Sequence, residues 1–120
     1  MNVEEIHNYC MHKTEVTEGM PFGDTVVVYK ILGKVFLLLS LDDTPLQFNA
    51  KCDPARAIEL REQYDCVQPG YHMNKKHWNT IIVDGSASDK LLMEWIDHSY
   101  DMVVRGLPKK DRMKLQDPGQ

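Results

Sequence analysis

The alternation of apolar and polar side chains in the middle of the chain predicts a β-sheet. The segments "TVVVYKIL" and "VFLLLSL" are rich in β-branched and other apolar residues, and the Gly33–Lys34 pair between them is typical of a tight hairpin turn. The next segment, "LQFNAKC", alternates strictly, with Leu46, Phe48, Ala50 and Cys52 on one face and Gln47, Asn49 and Lys51 on the other. Two further strands are predicted near Val67 and over residues 80–84. One face of the sheet should be buried, and part of the other face should be exposed to solvent.

Three segments have the apolar spacing of amphipathic helices. The first covers residues 2–13 and is ended by "EGMPFGD", which contains two glycines and a proline. The second begins in "CDPARAIELREQYD", where Asp53 can cap the free amides and Pro54 suits the first helical position. The third lies in "SASDKLLMEWIDHSYDMVV" and stops at Gly106 and Pro108. Its predicted buried stripe consists of Leu92, Trp95, Ile96, Ser99, Met102 and Val103.

The predicted order of elements is α-β-β-β-α-β-β-α. Connections of hairpin length favour a mostly antiparallel sheet. The fold class is therefore α+β, a two-layer sandwich in which a five-stranded sheet carries helices on one face. We expect one domain over residues 1–108, followed by a polar, flexible tail over residues 109–120.

Composition and charge narrow the class of protein. A chain of 120 residues with 42% hydrophobic residues can bury one core. The formal net charge of −4 does not by itself indicate nucleic-acid binding. The acids are concentrated on the predicted helices, whereas residues 67–83 carry two lysines and no acid. The face of the sheet without helices is therefore expected to be mildly basic.

The cysteine spacing, the N-terminal segment and the length of the apolar runs indicate the cellular compartment. The three cysteines are widely spaced and form no CxxC pair, which is typical of reduced, buried thiols in a cytosolic protein. The N-terminus "MNVEEIHNYCMHK" is polar and acidic, unlike a signal peptide, and the longest apolar run is too short to cross a bilayer. We expect a soluble, cytoplasmic protein without a membrane partner.

No motif for catalysis or metal binding is found in the sequence. The five histidines include no HExxH pattern and no His/Cys pair at zinc spacing, and no serine lies in a GxSxG motif. The sequence therefore predicts that the protein is not an enzyme and that it uses neither a metal nor a cofactor.

The segment "YHMNKKHWNT", residues 71–80, is the strongest candidate for a binding surface. Its side chains could all serve nucleic-acid binding: phosphate contacts by Lys75 and Lys76, hydrogen bonds to base edges or sugar by Asn74 and Asn79, and base stacking by His77 or Trp78. The alternative is structural. Trp78 would then plug the end of the sheet, and the two lysines would only solvate a loop.

Four sequence blocks resemble the MmcQ/YjbR family of small bacterial proteins. They are "MPFGDTVVVYKILGKVFLLLSLD", "KCDPARAIELREQY", "PGYHMNKKHWNT" and "WIDHSYDMVVRGLPKK". The resemblance runs in the same order from about residue 15 to residue 110. It implies an α-β3-α-β2-α two-layer domain, similar to type III secretion chaperones and CyaY-like proteins. It also implies DNA binding, with β-hairpins acting as a double wing, and no enzymatic activity or cofactor.

The positions that match the family pattern lie in four groups: Pro21, Phe22 and Gly23; Lys51, Cys52, Asp53 and Pro54; Gly70, Tyr71, His72, Asn74, Lys75, Trp78 and Asn79; and Asp97, His98, Ser99 and Tyr100. The last group lies in the middle of the third helix. Its polar side chains could be structural, or they could line a pocket with His72 and Trp78.

Three functions remain open at this point. The first is DNA binding through the hairpins and the loop, for which the candidate residues are Lys30, Lys34, Lys51, His72, Asn74, Lys75, Lys76, His77, Trp78 and Asn79. The second is a protein-interaction or chaperone-like module whose sheet face receives another protein or a second copy of the chain. The third is a small-molecule or anion-binding pocket near His72 and Trp78, reached by Lys75 and His98.

Overall fold

The computed structural model describes residues 1–116. In that range the helices are α1 (Val3–Met11), α2 (Pro54–Gln63), α3 (Asp89–Arg105) and α4 (Lys109–Gln116). The strands are β1 (Val16–Gly19), β2 (Val26–Ile31), β3 (Lys34–Ser40), β4 (Leu46–Lys51), β5 (Val67–Pro69) and β6 (Trp78–Val83). They form one sheet in the order β1-β2-β3-β4-β6-β5, with every neighbouring pair antiparallel. No helix in the described range is long and apolar enough to span a membrane.

The predicted two-layer α+β architecture is confirmed, but the sheet has six strands and not five. The additional strand, β1, pairs with β2 from Val16 opposite Ile31 to Gly19 opposite Val28. It is only four residues long and mostly exposed at the edge of the sheet. Because "VTEG" is short and lacks apolar alternation, its pairing depends on the neighbouring strand and leaves little trace in the sequence.

Each of the first three helices begins at a side-chain cap. Asn2 accepts a hydrogen bond from the backbone N–H of Glu5, whose carboxylate accepts one from the Asn2 N–H in return. Asp53 caps α2 by accepting from the Arg56 N–H, and Ser88 caps α3. The predicted starts of α2 and α3 are therefore confirmed.

The core lies between one face of the sheet and the helices. Side chains of α1 and α3 pack there against alternate residues of the strands. The buried members of this core include Ile6, Cys10, Leu37, Leu39, Phe48, Ala50, Ile81, Leu92, Trp95, Ile96 and Val103. The predicted stripe of α3 is confirmed except at Met102, which is only partly buried.

The three cysteines are buried as free thiols, as predicted. Burial raises the pKa of the Cys10 thiol to about 12 and that of the Cys52 thiol to about 11. Because the thiolate is the reactive form, these two cysteines act as small apolar side chains and not as nucleophiles.

A β-bulge in β3 decides which side chains face outward. Tyr29 pairs with Leu37, but the next residue of β2, Lys30, pairs with Val35, so Phe36 is an extra residue. Phe36 and Leu37 are both fully buried in the core. The bulge therefore leaves the apolar side chains of Val35 and Leu38 on the opposite face of the sheet.

The predicted flexible tail is helical over much of its length. Helix α4 begins at Lys109, directly after the predicted domain end at residue 108. Leu107 is buried just before it, and Leu115 packs against the core. These two apolar contacts hold the helix, which a mostly polar composition did not predict. Residues 117–120 of the predicted tail lie outside the described residues.

Candidate ligand groove on the uncovered sheet face

The face of the sheet opposite the core has its own pattern of side chains. Strand pairing puts Leu38 beside Asn49 and Asn49 beside Thr80, so these three form one row across β3, β4 and β6. Ser40 and Gln47 form the next row. The sequence predicted this face of β4 correctly, with Gln47 and Asn49 pointing away from the core.

A groove of about 480 Å³ lies over these rows. One wall is the loop between β1 and β2, which contributes Phe22, and the other is the loop between β5 and β6, which contributes Tyr71, His72 and Met73. Phe22 is 70% exposed and Tyr71 is 68% exposed. The volume falls within the range of about 300–1,000 Å³ found for sites that bind small molecules.

The lining combines apolar sides with a polar floor. The apolar lining comes from Phe22, Val26, Val35, Leu38, Phe48, Tyr71 and Met73, and the polar lining from Ser40, Asp43, Gln47, Asn49, His72 and Thr80. Thr80 Oγ1 donates to Asn49 Oδ1 over 2.5 Å and accepts from the Tyr71 N–H over 2.9 Å. This pairing occupies the oxygen of Asn49 and leaves its NH₂ group as a donor.

The loop that carries Tyr71 is fixed by a close approach at its base. The Gly70 N–H donates to the Trp78 carbonyl over 3.0 Å, and a Cβ atom on Gly70 would lie 2.8 Å from that same oxygen. Only glycine allows the two backbones to come this near. The close approach therefore sets the position of the groove wall.

Arg61 of α2 braces the same loop from the core side. Its Nε donates to Asn79 Oδ1 over 2.7 Å, and its Nη2 donates to the carbonyl of Lys75. Lys75 Nζ in turn donates to the Gly70 carbonyl over 3.2 Å. The loop is thus tied at both ends, and the groove wall is largely preorganised.

His72 lies at the rim of the groove with a left-handed backbone conformation. Its φ is 60°, in the region where His, Asn and Asp occur more often than other residues with a side chain. The rings of Tyr71 and His72 lie 4.0 Å apart between centroids. The two residues therefore present adjacent rings in this wall of the groove.

The ten residues that the sequence suggested for nucleic-acid contacts do not lie together on one surface. Lys30 and Lys51 point to the uncovered face, and Lys34 is exposed at the start of β3. In the loop, His72, Asn74, Lys75 and Lys76 are exposed, while His77 and Trp78 are partly buried. Lys30 lines a separate hollow beside β1, so it is not part of the groove.

Asn79 has to be corrected as a surface contact. It is 1% exposed and faces the core, where it accepts the hydrogen bond from Arg61. The alternation of β6 explains this placement, because Asn79 has the same parity as the buried Ile81. Asn79 therefore holds the loop and offers nothing to a ligand on the surface.

His98 does not lie in the predicted pocket near His72 and Trp78. Its Nε2 accepts from the Asp53 N–H over 3.1 Å at the start of α2, on the helix side of the sheet. Burial lowers the pKa of His98, which favours the neutral imidazole that this contact needs. The groove contains His72 but not His98, so the predicted four-residue pocket does not form.

The polar residues in the middle of α3 are structural and point in three directions. Asp97 accepts from the Tyr9 hydroxyl over 2.7 Å and from Lys13 Nζ over 2.5 Å. Ser99 bridges two strands, and the Tyr100 hydroxyl donates to a backbone carbonyl after α1. Asp97 and Tyr100, three residues apart, both face α1 and the turn after it, whereas His98 faces the start of α2 and Ser99 faces the sheet.

Sequence reasoning missed most of the groove. Its missed members are Phe22 as a wall residue, Val26, Val35, Leu38, Ser40, Asp43, Gln47 and Asn49, whereas Tyr71, Met73 and Thr80 lie in the candidate segment 71–80 but had no assigned role. One usable signal was the exposed aromatic residue in "MPFGD", since a large apolar side chain in a Gly/Pro loop has little core to enter. No group of three or more potential metal ligands occurs in residues 1–116.

Comparison with known proteins places the chain among relatives of the same size. A model of the YjbR family matches residues 11–102. The uncharacterized protein YbdF of Escherichia coli O157:H7 is 41% identical over 100 residues, which cover 82% of this chain and 80% of YbdF. The uncharacterized protein YjbR of Escherichia coli K12 is 30% identical over 96% of this chain and 98% of its own length.

Solved structures have the same fold. The crystal structure of the Deinococcus radiodurans protein DR2400, with domain DUF419, superposes with a TM-score of 0.89 at 35% identity, over 98% of this chain and 89% of that one. A Pseudomonas syringae protein superposes with a TM-score of 0.74 over 85% of this chain and 98% of its own, at 22% identity, which shows the fold alone. The predicted family is thereby confirmed: the chain belongs to the YjbR family.

Proposed function

We propose that this protein binds a small organic ligand in the groove on the uncovered sheet face and performs no catalysis of its own. The observation that carries the proposal is the groove itself, with its ligand-sized volume, apolar sides and two highly exposed aromatic rings. Concave, mainly apolar sites with a few convergent polar groups are the usual form of small-molecule sites.

The exposure of Phe22 and Tyr71 supports this proposal. Each leaves a large apolar area in water, and removing apolar surface from water is favourable by about 25 cal/mol per Å². A ligand lying between the two loops would cover both rings. The bracing of the Tyr71 loop by Arg61 and Gly70 means that little ordering of this wall would be required on binding.

The absence of catalysis is proposed from the chemistry of the lining. A side-chain nucleophile needs a base within hydrogen-bond reach that can take its proton. The close pairs in the groove are Thr80 with Asn49 and Ser40 with Asp43. The first contains no base, and the second joins Ser40, the last residue of β3, to an exposed carboxylate in the turn that follows, where such local side-chain hydrogen bonds are common.

Truncating the aromatic walls is expected to weaken ligand binding about ten-fold or more without unfolding the protein. Phe22→Ala and Tyr71→Ala each remove a ring whose contact with a ligand is worth about 1–3 kcal/mol. Both rings are exposed, so the free energy of unfolding should change by less than about 0.5 kcal/mol. The measurement is a titration of ¹⁵N-labelled protein with small aromatic fragments, followed by backbone amide shifts.

The matched control is Ile58→Ala, which truncates another exposed apolar side chain, 54% exposed, on α2. It should leave the titration unchanged. If fragments shift the amides of Leu38, Asn49 and Thr80 only in the wild type and the control, the groove is the binding site. Fragment binding that is equal in all four proteins would contradict the proposal.

DNA binding is the second candidate, and the position of four lysines favours it. Lys30 and Lys51 point to the uncovered face, and Lys75 and Lys76 are exposed on the loop beside it. With Lys34, five lysines could contact phosphates, and the logarithm of the affinity would then fall with the logarithm of salt concentration with a slope of about −4 to −5 on B-DNA.

Reversing the charge of the loop tests this second candidate. If DNA binds, Lys75→Glu/Lys76→Glu should lower the affinity about ten-fold or more. The melting temperature should change little, because both side chains are exposed and the loop keeps its bonds to Arg61 and between Gly70 and Trp78 when the Lys75 Nζ contact is lost. The measurement is fluorescence anisotropy of labelled single- and double-stranded DNA across a salt series. Lys109→Glu/Lys110→Glu on α4 makes the same charge change at exposed positions far along the chain. An equal loss of DNA affinity in both variants would contradict a specific role of the loop and would indicate only a general effect of net charge.

A further inference from the structure

The charged side chains of the uncovered sheet face are divided unevenly between the groove and its surroundings. Asp43 contributes a carboxylate, which accepts a hydrogen bond from the Ser40 hydroxyl over 2.5 Å. No lysine or arginine belongs to the lining, all of which falls in the described part of the chain. The lysines of the same face lie elsewhere: Lys30 lines the hollow beside β1, and Lys51 pairs with Trp78 at the far end of β4.

This distribution disfavours an anion inside the groove. An anionic ligand would meet the Asp43 carboxylate without a compensating lysine or arginine, in a site whose apolar sides lower the local dielectric. A cationic group would gain the carboxylate as a partner, and the faces of Phe22 and Tyr71 also attract cations.

The walls and the floor set the shape of the ligand. Aromatic rings stand on both walls, Phe22 on one and Tyr71 with His72 on the other, and flat rings pack well against such surfaces. The floor offers the side-chain amides of Gln47 and Asn49, two positions apart on the same face of β4. Gln47 can donate and accept at the edge of a planar ring, and Asn49, whose oxygen is bonded to Thr80, can donate.

Building on the proposed ligand site, we infer that the groove selects a flat aromatic molecule that carries a positive charge. The ring lies between the walls of Phe22 and Tyr71, and the cationic group points to Asp43 at the Ser40–Gln47 end of the floor. The chemical class is an aromatic amine. The same carboxylate disfavours aromatic anions, including nucleotides, inside the groove.

Three probes that share the indole ring system but differ in net charge test the inference. Tryptamine is a cation, indole is uncharged and indole-3-acetate is an anion at pH 7.5. We expect tryptamine to bind about five-fold tighter than indole, which corresponds to about 1 kcal/mol for a partly exposed ion pair. Indole-3-acetate should bind more weakly than indole. Dissociation constants are measured by amide shifts in ¹⁵N-labelled protein at low salt.

The matched variants are Asp43→Asn and Asp42→Asn. Both remove one acid from the same turn, but only Asp43 lines the groove. Asp43→Asn should remove the preference for tryptamine over indole, and Asp42→Asn should keep it. Both side chains are exposed, so both variants are expected to fold.

The outcomes separate the two levels of the proposal. If none of the three probes binds and other fragments also fail, the ligand site itself is wrong. If indole binds in the groove but tryptamine is no tighter, or indole-3-acetate is tighter, the ligand site stands and the charge selectivity is overturned. A preference for tryptamine that survives in Asp43→Asn also overturns the assignment to this carboxylate.

Discussion

Replacing Ser99 with Ala is expected to lower the free energy of unfolding by about 2–4 kcal/mol, a large part of the roughly 5–15 kcal/mol that stabilises a small domain. Ser99 is fully buried, and its Oγ makes two hydrogen bonds. It donates to the Phe36 carbonyl over 2.5 Å and accepts from the Lys51 N–H over 2.8 Å. Phe36 is the extra residue of the β3 bulge, and Lys51 is the last residue of β4.

The cost comes from the backbone groups that the substitution leaves behind. A bulge takes its extra residue out of the strand ladder, so its carbonyl depends on a partner from elsewhere. Alanine removes that partner, and each buried, unpaired backbone group costs about 1–3 kcal/mol.

Urea unfolding at equilibrium measures this effect. Ser86→Ala is the control, because Ser86 is exposed and its hydroxyl bonds only to Asp84 of the same turn. Its unfolding free energy should stay within about 0.5 kcal/mol of the wild type. A loss below about 1 kcal/mol in Ser99→Ala would show that the bulge is held without this bridge.

Most of the fold could be predicted from the sequence because its signals are local. Caps at Asp53 and Ser88 and strict alternation in β4 act over a few residues, and the structure follows them. The missed elements depend on tertiary contacts. Strand β1 exists through its pairing with β2, and α4 through the burial of Leu107 and Leu115 against a core formed by distant residues.

The candidate site was harder to predict, because it joins residues with no common local signal. Phe22 and Tyr71 come from two loops that meet only after the sheet has formed in the order β1-β2-β3-β4-β6-β5. Val35 and Leu38 share the uncovered face although they are three residues apart, because the bulge at Phe36 shifts the alternation of β3. A strict period of two cannot reveal such a shift.

The dense segment at residues 71–80 divides into residues that line the groove and residues that hold the loop. Tyr71, His72 and Met73 form a wall of the groove, whereas Asn79 and the Lys75 carbonyl hold the loop to Arg61. Extending the alternation of β6 backward from Ile81 would have placed Asn79 in the core. Residue type alone does not distinguish a residue that lines the groove from one that holds the loop in place.

Replacing Gly70 with Ala is expected to destabilise the protein by about 1–3 kcal/mol and to weaken ligand binding in the groove at the same time. The added Cβ would lie 2.8 Å from the Trp78 carbonyl oxygen, 2.9 Å from Trp78 Cβ and 3.1 Å from Met73 Cβ. The first contact involves backbone, which cannot rotate away as a flexible side chain would. The loop must therefore move away from β6, and it carries Tyr71 and His72 with it.

This coupling distinguishes Gly70→Ala from a simple loss of stability. Gly19→Ala is the matched control, since a Cβ there would have one contact at an ordinary 4.0 Å, with Pro21, and the residue lies in an edge strand. It should unfold at the same urea concentration as the wild type or slightly higher, because alanine reduces the entropy of the unfolded chain. We expect Gly70→Ala to weaken fragment binding at a temperature where it is still fully folded, since the wall of the groove is displaced. Unchanged binding in a destabilised Gly70→Ala protein would show that the position of this loop does not define the site, and the ligand would then have to be held by Phe22 and the sheet floor alone.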